Sequence, residues 1–295
     1  MTSVADARFP DARPLAADID VFGLTHQGRV RKLNQDQFLI ASLHKALQIH
    51  HTSLPREQLG ELVSESRGFF CMVADGVGGR PGGERASGTA LQAIADWAVN
   101  AMRFHYHNDP VSESAYLQDL SDAVLRSHEA IRARAAGTAT TLTMVMFRWP
   151  RAYLVHVGDS RCYRLREGRL EQLSKDQTMA QALVDAGVMR PDDADASRWK
   201  HVLSSALGAA EAMPAISVYD HQWDDAMLLC TDGLTKHVGD DEIRDLLGTI
   251  KSSEEICRTL IDRTLERGAT DNVTVVAGRL RERTGESIEP GSTPR

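Results

Sequence analysis

The chain has 295 residues, of which 42% are hydrophobic and 5% aromatic, enough apolar material for the core of a globular protein. Its net charge of -7 disfavours binding to nucleic acid or to an anionic membrane, because both would repel an acidic protein. The four cysteines are too scattered for a disulfide framework or a zinc knuckle. With no signal-peptide pattern and no run of ~18 apolar residues, we expect a cytoplasmic protein with no membrane partner.

Runs of apolar or alternating residues predict a protein rich in β-strands. In chain order these runs lie at 19–25, 37–41, 69–74, 139–147, 152–157, 161–165, 215–219, 226–230 and 273–280. The turn at 167–169 predicts a hairpin, so part of the sheet should be antiparallel. Helical periodicity predicts helices at 84–102, 114–135, 178–186, 240–247 and 253–266. Paired helices between blocks of strands indicate an α+β fold.

Three segments lie outside these predicted elements. Residues 1–17 and 283–295 lack periodicity, and we expect both to be flexible tails. No linker or repeat is found between them, so 18–282 is predicted to be a single domain. Residues 42–68 separate two strands and are interpreted as an insertion. Its histidines have no regular spacing, which favours a solvated loop over a metal site.

Five aspartates flank strand-like runs, and four of them adjoin glycine or asparagine while Asp36 follows Asn34-Gln35. Asp75 and Asp232 each end an apolar run and precede a glycine, and Asp159 follows another run after one glycine. Asp36 and Asp271 stand just before strands. Side chains at strand ends can converge on one rim of a sheet, so we predict an acidic cluster. A single Asp-Gly pair is more often a hairpin turn, and only the repeated pattern favours the cluster.

Clustered carboxylates without Cys or His suit Mg²⁺ or Mn²⁺. Gly76 after Asp75 allows a sharp turn that frees a peptide carbonyl as a further oxygen ligand. Two such ions about 4 Å apart could hold a bridging hydroxide for in-line attack on phosphorus. Arg31, five residues before Asp36, is placed to grip a phosphate. Spacing alone leaves it equally open as a solvated loop residue.

The chain resembles the metal-dependent serine/threonine protein phosphatases of type 2C, in their bacterial form. The motifs that carry the resemblance run in one order through nearly the whole predicted domain. They include Arg31-Lys-Leu-Asn-Gln-Asp36, Val73-Ala-Asp-Gly-Val-Gly-Gly79, Gly137-Thr-Ala-Thr-Thr141, Val157-Gly-Asp-Ser-Arg161, Leu229-Cys-Thr-Asp-Gly233 and Thr270-Asp-Asn-Val273. Each motif is weak alone, and the shared order makes the set specific.

The resemblance implies a central β-sandwich of two antiparallel sheets flanked by pairs of helices. It also implies hydrolysis of phosphoserine and phosphothreonine in other proteins, with two Mn²⁺ or Mg²⁺ ions as cofactors and a third that bacterial members often show. Asp75 would bridge two ions, Gly76 would give its carbonyl to one, and Asp232 and Asp271 would complete the other.

Further roles are implied for the remaining motif residues. Asp36 would act through a metal-bound water, and Arg31 would bind the substrate phosphate. Asp159 would contribute to a third, weaker metal site together with Asp232. Residues from about 178 to 207 would form a flap segment beside the site, where the substrate is selected.

Two positions depart from the family pattern. Gln35 stands where many members have Glu, which makes one water-mediated contact neutral and should lower metal affinity. Val77 stands where animal members have a histidine that protonates the leaving oxygen, so a metal-bound water or another donor must serve. The 42–68 insertion joins the Asp36 strand to the Asp75 strand, and we hypothesise that it modulates substrate access.

Two other interpretations stay open. One is a dedicated phosphatase for a single anti-sigma-type regulator, although no fused sensor domain is found in the sequence. The other is a pseudophosphatase that only binds a partner, which the presence of Asp36, Asp75, Asp232 and Asp271 disfavours. The partners we expect are phosphorylated proteins, including a serine/threonine kinase and its substrates. A monomer is the expected state.

Overall fold

A computed structural model describes residues 14–44, 68–77, 82–100, 102, 110–194 and 196–281. Nearly all of the predicted N-terminal tail, the predicted C-terminal tail and most of the predicted insertion lie outside the described residues. The expectations for those segments therefore stay predictions. Residues 42 and 43, placed in the insertion by the sequence, are the end of a strand, and residue 68 begins the next one.

The described residues contain two antiparallel sheets. Their strands are β1 (Ile19–His26), β2 (Asp36–Leu43), β3 (Gly68–Val77), β4 (Ala139–Thr140), β5 (Leu142–Arg148), β6 (Arg151–Val157), β7 (Arg161–Arg166), β8 (Arg169–Gln172), β9 (Ala215–Asp220), β10 (Ala226–Cys230) and β11 (Val273–Leu280). One sheet has the order β1-β11-β10-β7-β8, and the other has the order β2-β3-β5-β6-β9 with β4 pairing to the end of β3.

Seven α-helices complete the described part of the chain. They are α1 (Gly83–Asn100), α2 (Pro110–Arg134), α3 (Met179–Asp185), α4 (Pro191–Ala194), α5 (Asp232–Thr235), α6 (Asp240–Thr249) and α7 (Ser253–Glu266). Helix α7 begins where the Ser252 side chain accepts a hydrogen bond from the Glu255 amide. Just beyond it, Gly268 has a φ of +102°, a left-handed turn that ends the helix as the sequence predicted. No described helix is long and apolar enough to cross a bilayer.

Apolar side chains arrange these elements in four layers. Helices α1 and α2 cover the outer face of the sheet that contains β2, where Ile94 and Leu120 are buried in one cluster with Met144. Helices α6 and α7 cover the other sheet through a second cluster that contains Leu228 and Leu260. A third cluster lies between the two sheets, with members Cys71, Val73, Val145, Leu154, Cys162, Met227, Leu229 and Val276. The predicted α+β sandwich flanked by paired helices is confirmed.

Local differences from the sequence prediction have physical causes. The predicted strand 139–147 is divided at Thr141, because β4 and β5 pair with different parts of β3 around that residue. Strand β8 is the second strand of the hairpin predicted from the turn at 167–169, but its bounds were not predicted, since its Arg-Leu-Glu-Gln sequence is mostly polar at the edge of a sheet. Helices α4 and α5 have four residues each, too short for periodicity to reveal.

Candidate active site

The fold brings the five predicted aspartates to one rim of the sandwich. Asp36 is the first residue of β2 and stands directly opposite Asp75 in the antiparallel register with β3. Asp159 follows β6, Asp232 begins α5, and Asp271 precedes β11 by two residues. The charges of the other four carboxylates all raise the pKa of Asp75. The predicted convergence of strand-end carboxylates is therefore present in the structure.

Asp36 is a buried carboxylate held from one side only. Its Oδ2 atom accepts hydrogen bonds from the hydroxyls of Thr231 and Thr274, each at 2.8 Å. Its Oδ1 atom is buried and has no hydrogen-bond partner. Burial, which outweighs the two threonine hydrogen bonds, raises the pKa of Asp36 to about 7, with help from the charges of Asp232 and Asp271. The unpartnered oxygen is an acceptor that lacks a cation or a donor.

The backbone of Asp75 is fixed by the neighbouring strands. Its amide donates to the Thr141 hydroxyl at 2.9 Å, and its carbonyl accepts from the Thr141 amide and the Thr140 hydroxyl. Thr141 in turn shares a 2.7 Å hydrogen bond with Ser160. Burial and then the charge of Asp36 raise the pKa of the Asp75 carboxyl well above its usual range.

Gly76 lies against the first turn of helix α1. A Cβ atom at Gly76 would come within 2.4 Å of the Gly83 carbonyl oxygen. A Cβ atom at Gly83 would come within 2.7 Å of the side-chain Nε2 atom of Gln35. Both positions therefore require glycine for close packing. Gln35 donates a 3.3 Å hydrogen bond to Glu84, so this neutral residue has an acidic neighbour. Val77 pairs with Ala139 at the end of β3.

Two cations face the outer carboxylates. Arg31 donates to both oxygens of Asp271, from Nε at 2.7 Å and from Nη2 at 2.8 Å. Lys236 places its Nζ atom 2.7 Å from Asp232 Oδ2 and 2.8 Å from Asp271 Oδ2. Burial would raise the pKa of Asp271, but hydrogen bonds from the two cations outweigh it and lower that pKa. The remaining oxygen of Asp232, Oδ1, is buried and has no hydrogen-bond partner.

Asp159 lies between β6 of one sheet and β7 of the other. It is buried, and burial followed by the charges of Asp232 and Asp176 raises the pKa of its carboxyl to about 7. The positive charge of Lys236 acts in the opposite direction. Asp176 is itself paired with Arg161, at 2.7 Å between Oδ2 and Nη2. Asp159 is thus a buried carboxylate beside two other carboxylates, Asp232 and Asp176.

The predicted flap segment is attached to the site at both ends. At its start, the Gln177 amide donates to the Gly158 carbonyl, and Thr178 forms a bridge with Leu203. At its end, Leu207 and Thr140 exchange two backbone hydrogen bonds of 2.9 Å. Buried Thr143 and His156 connect the same regions from inside, because His156 contacts the Lys175 carbonyl and Thr143 donates to the Ser160 carbonyl. These contacts measure 3.0 and 2.9 Å.

The donor set of the cluster fits hard divalent cations. All its candidate ligands are oxygens, two of them buried without partners. Among the described residues, no three His, Cys, Asp or Glu side chains by themselves form a group that could hold a metal ion. Mg²⁺ commonly binds through one or two carboxylates and keeps several waters, so a complete protein cage is not required.

Sequence reasoning missed three side chains of the site. Thr231, which follows β10, and Thr274, in β11, contact Asp36 from far away in sequence, and their roles depend on how the two sheets are placed. Lys236 was also missed, although it lies four residues after Asp232, a spacing that places both on one face of a helical turn. Asn272, next to the predicted Asp271, ties the Arg31 loop through hydrogen bonds to the carbonyls of residues 27 and 33.

Comparisons with known proteins identify the family of the chain. The family model described as Protein phosphatase 2C matches residues 50–272. The chain therefore belongs to the protein phosphatase 2C family.

Its relatives include the serine/threonine protein phosphatase PstP of Mycobacterium tuberculosis, 36% identical over 210 residues, which are 69% of this chain and 39% of PstP. The chain thus spans about two fifths of the length of that relative. The structural match to a crystal structure of PstP covers 90% of this chain and 99% of the solved chain, with a TM-score of 0.71 and 30% identity. The PstP catalytic domain in complex with two manganese ions matches with a TM-score of 0.68 and the same coverage and identity.

Proposed function

We propose that this protein is a metal-dependent protein serine/threonine phosphatase, with Mn²⁺ or Mg²⁺ held by Asp36, Asp75, Asp232 and Asp271 and the Gly76 carbonyl. The observation that carries the proposal is the buried carboxylate cluster, whose Asp36 and Asp232 oxygens lack hydrogen-bond partners. Asp159 with Asp232 supports a third, weaker site, since its carboxyl is buried beside the charge of Asp232.

The metal ions would supply charge stabilisation of the phosphoryl oxygens and a water of lowered pKa as nucleophile. The chain's own residues hold the metal-binding carboxylates in position. Thr231 and Thr274 orient the Asp36 carboxylate, and Thr141 fixes the end of the strand that carries Asp75. These hydrogen bonds hold the carboxylates in place despite their mutual repulsion.

Arg31 is proposed to bind the substrate phosphate. Two of its nitrogens are fixed by Asp271, while Nη1 has no hydrogen-bond partner among the described residues. The side chain is 44% exposed at the rim. A guanidinium oriented on one edge can present its other donors to phosphate oxygens without first losing rotational freedom.

Phosphorylated proteins are the proposed substrates, including a serine/threonine kinase and that kinase's targets. The flap segment 178–207 borders the site and carries exposed Val188, Trp199 and Val202, which suits contact with a protein surface. All four cysteines are free and buried, which supports the proposed cytoplasmic location, where thiols stay reduced. We propose that the protein acts as a monomer.

The decisive test is hydrolysis of a phosphothreonine peptide with Mn²⁺ and with chelator. We expect turnover only with the metal, and a loss of about a hundredfold or more in kcat for Asp75→Asn. Asp241→Asn is the matched control, because the Asp241 side chain is 91% exposed on α6. A folded wild type without turnover in any condition would overturn the proposal and favour a protein that only binds partners.

A further inference from the structure

Lys236 is a cation that the sequence analysis did not assign to the site. It follows the single turn of α5, and its amide donates to the Asp232 carbonyl at 3.0 Å. The same turn therefore fixes both the carboxylate and the lysine that contacts it. The Lys236 side chain is 23% exposed, and its ammonium lies within hydrogen-bonding distance of Asp232 and Asp271.

The position of this ammonium matters because two carboxylates share it. Asp232 and Asp271 come from different segments and would repel each other if nothing positive stood between them. The charge of Lys236 also reaches Asp159, a third carboxylate of the cluster. One side chain thus compensates a large part of the negative charge at this end of the site.

We propose that Lys236 is a built-in counterion, which holds Asp232 and Asp271 together in the metal-free protein and which a divalent ion must displace or tolerate. This inference rests on the proposed function, since it takes both aspartates as metal ligands. Two consequences follow. Lys236 stabilises the metal-free fold, and it weakens the binding of metal by placing a positive charge beside the ion.

Arg31 does not serve equally well in this role. It contacts Asp271 alone, and its side chain is 44% exposed, so solvent screens its charge more strongly. Lys236 is more buried, and as the residue that directly follows α5 it is tied to the helix by the backbone hydrogen bond to Asp232. The fixed cation of the cluster is therefore Lys236.

The test measures Mn²⁺ binding directly, by isothermal titration calorimetry on protein stripped with chelator. Lys236→Met removes the charge and keeps a similar chain length, and we expect it to bind Mn²⁺ at least about tenfold more tightly. Its metal-free melting temperature should fall by about 4 °C or more, and saturating Mn²⁺ should restore it. Lys236→Arg keeps the charge and should stay near the wild-type affinity.

Lys175→Met is the matched control, because Lys175 forms an ion pair with Asp185 on the surface and is 66% exposed. This variant should bind Mn²⁺ as the wild type does. Unchanged or weaker Mn²⁺ binding by Lys236→Met would overturn the inference. A wild type that binds no Mn²⁺ would instead overturn the proposed function. If Lys236→Met folds only after Mn²⁺ is added, as followed by circular dichroism, the counterion role is supported.

Discussion

Replacing Asp36 by asparagine should stabilise the metal-free protein at pH 8. Asp36 is 1% exposed, and its folded-state pKa is raised from 3.8 to about 7. Because the folded protein holds this proton to a higher pH than the unfolded chain does, the contribution of Asp36 to stability is complete below about pH 4. That contribution is lost as the pH rises toward 7. A rise of that size corresponds to a cost on the order of 4 kcal/mol at pH 8. Asparagine keeps an acceptor for Thr231 and Thr274 and removes the charge.

Urea unfolding in the presence of chelator provides the assay. The free energy of unfolding of Asp36→Asn should exceed that of the wild type, and this difference should grow by about 3 kcal/mol between pH 5 and pH 8. With saturating Mn²⁺ the order should reverse, because only the wild type gains the full binding energy of the metal. Asp192→Asn, at an exposed residue of α4, should show no such dependence. Equal effects of Asp36→Asn at both pH values would refute the reasoning.

Three further substitutions separate the roles of individual contacts. Arg31→Lys keeps the charge but loses the two-nitrogen contact with Asp271, and steady-state kinetics should show KM for a phosphopeptide rising roughly tenfold. Thr141→Val leaves the Asp75 amide without its acceptor and should cost about 1–3 kcal/mol in urea unfolding with Mn²⁺ present, together with lower kcat. Arg166→Met leaves buried Asp225 without its main cation, so it should cost about 3 kcal/mol while kcat at low temperature stays unchanged. Unaltered stability of this last variant would show that the pair is not needed.

The sequence predicted the layers of the fold well, because buried strands and amphipathic helices carry their periodicity locally. Helix α7, for example, was predicted with the bounds that the structure shows, since Ser252 caps its start and Gly268 ends it. Strand β8 was predicted only as part of a hairpin, without bounds, and helix α5 was not predicted. The first is polar and the second is a single turn, so neither carries a periodic signal.

For the site, the convergence of the five aspartates was predictable because strand ends meet at one rim. The supports of those aspartates were not predictable. Thr274 contacts Asp36 across 238 residues of sequence, and only the register of β11 brings it there. The pairing of Asp36 with Asp75 likewise depends on the register of β2 against β3. Such contacts are properties of the assembled sandwich and leave no local pattern.

The backbone attachment of residues 178–207, the predicted flap segment, has a consequence for how such a protein can diversify. Its stems at Thr178 and Leu203, and at Leu207 and Thr140, are joined through the backbone, so they do not depend on which side chains lie between them. The described residues between these stems, 179–194 and 196–202, can therefore change by mutation, or be exchanged between homologues, while the carboxylates keep their places. The surface beside the carboxylates can therefore vary without moving the strands that carry them.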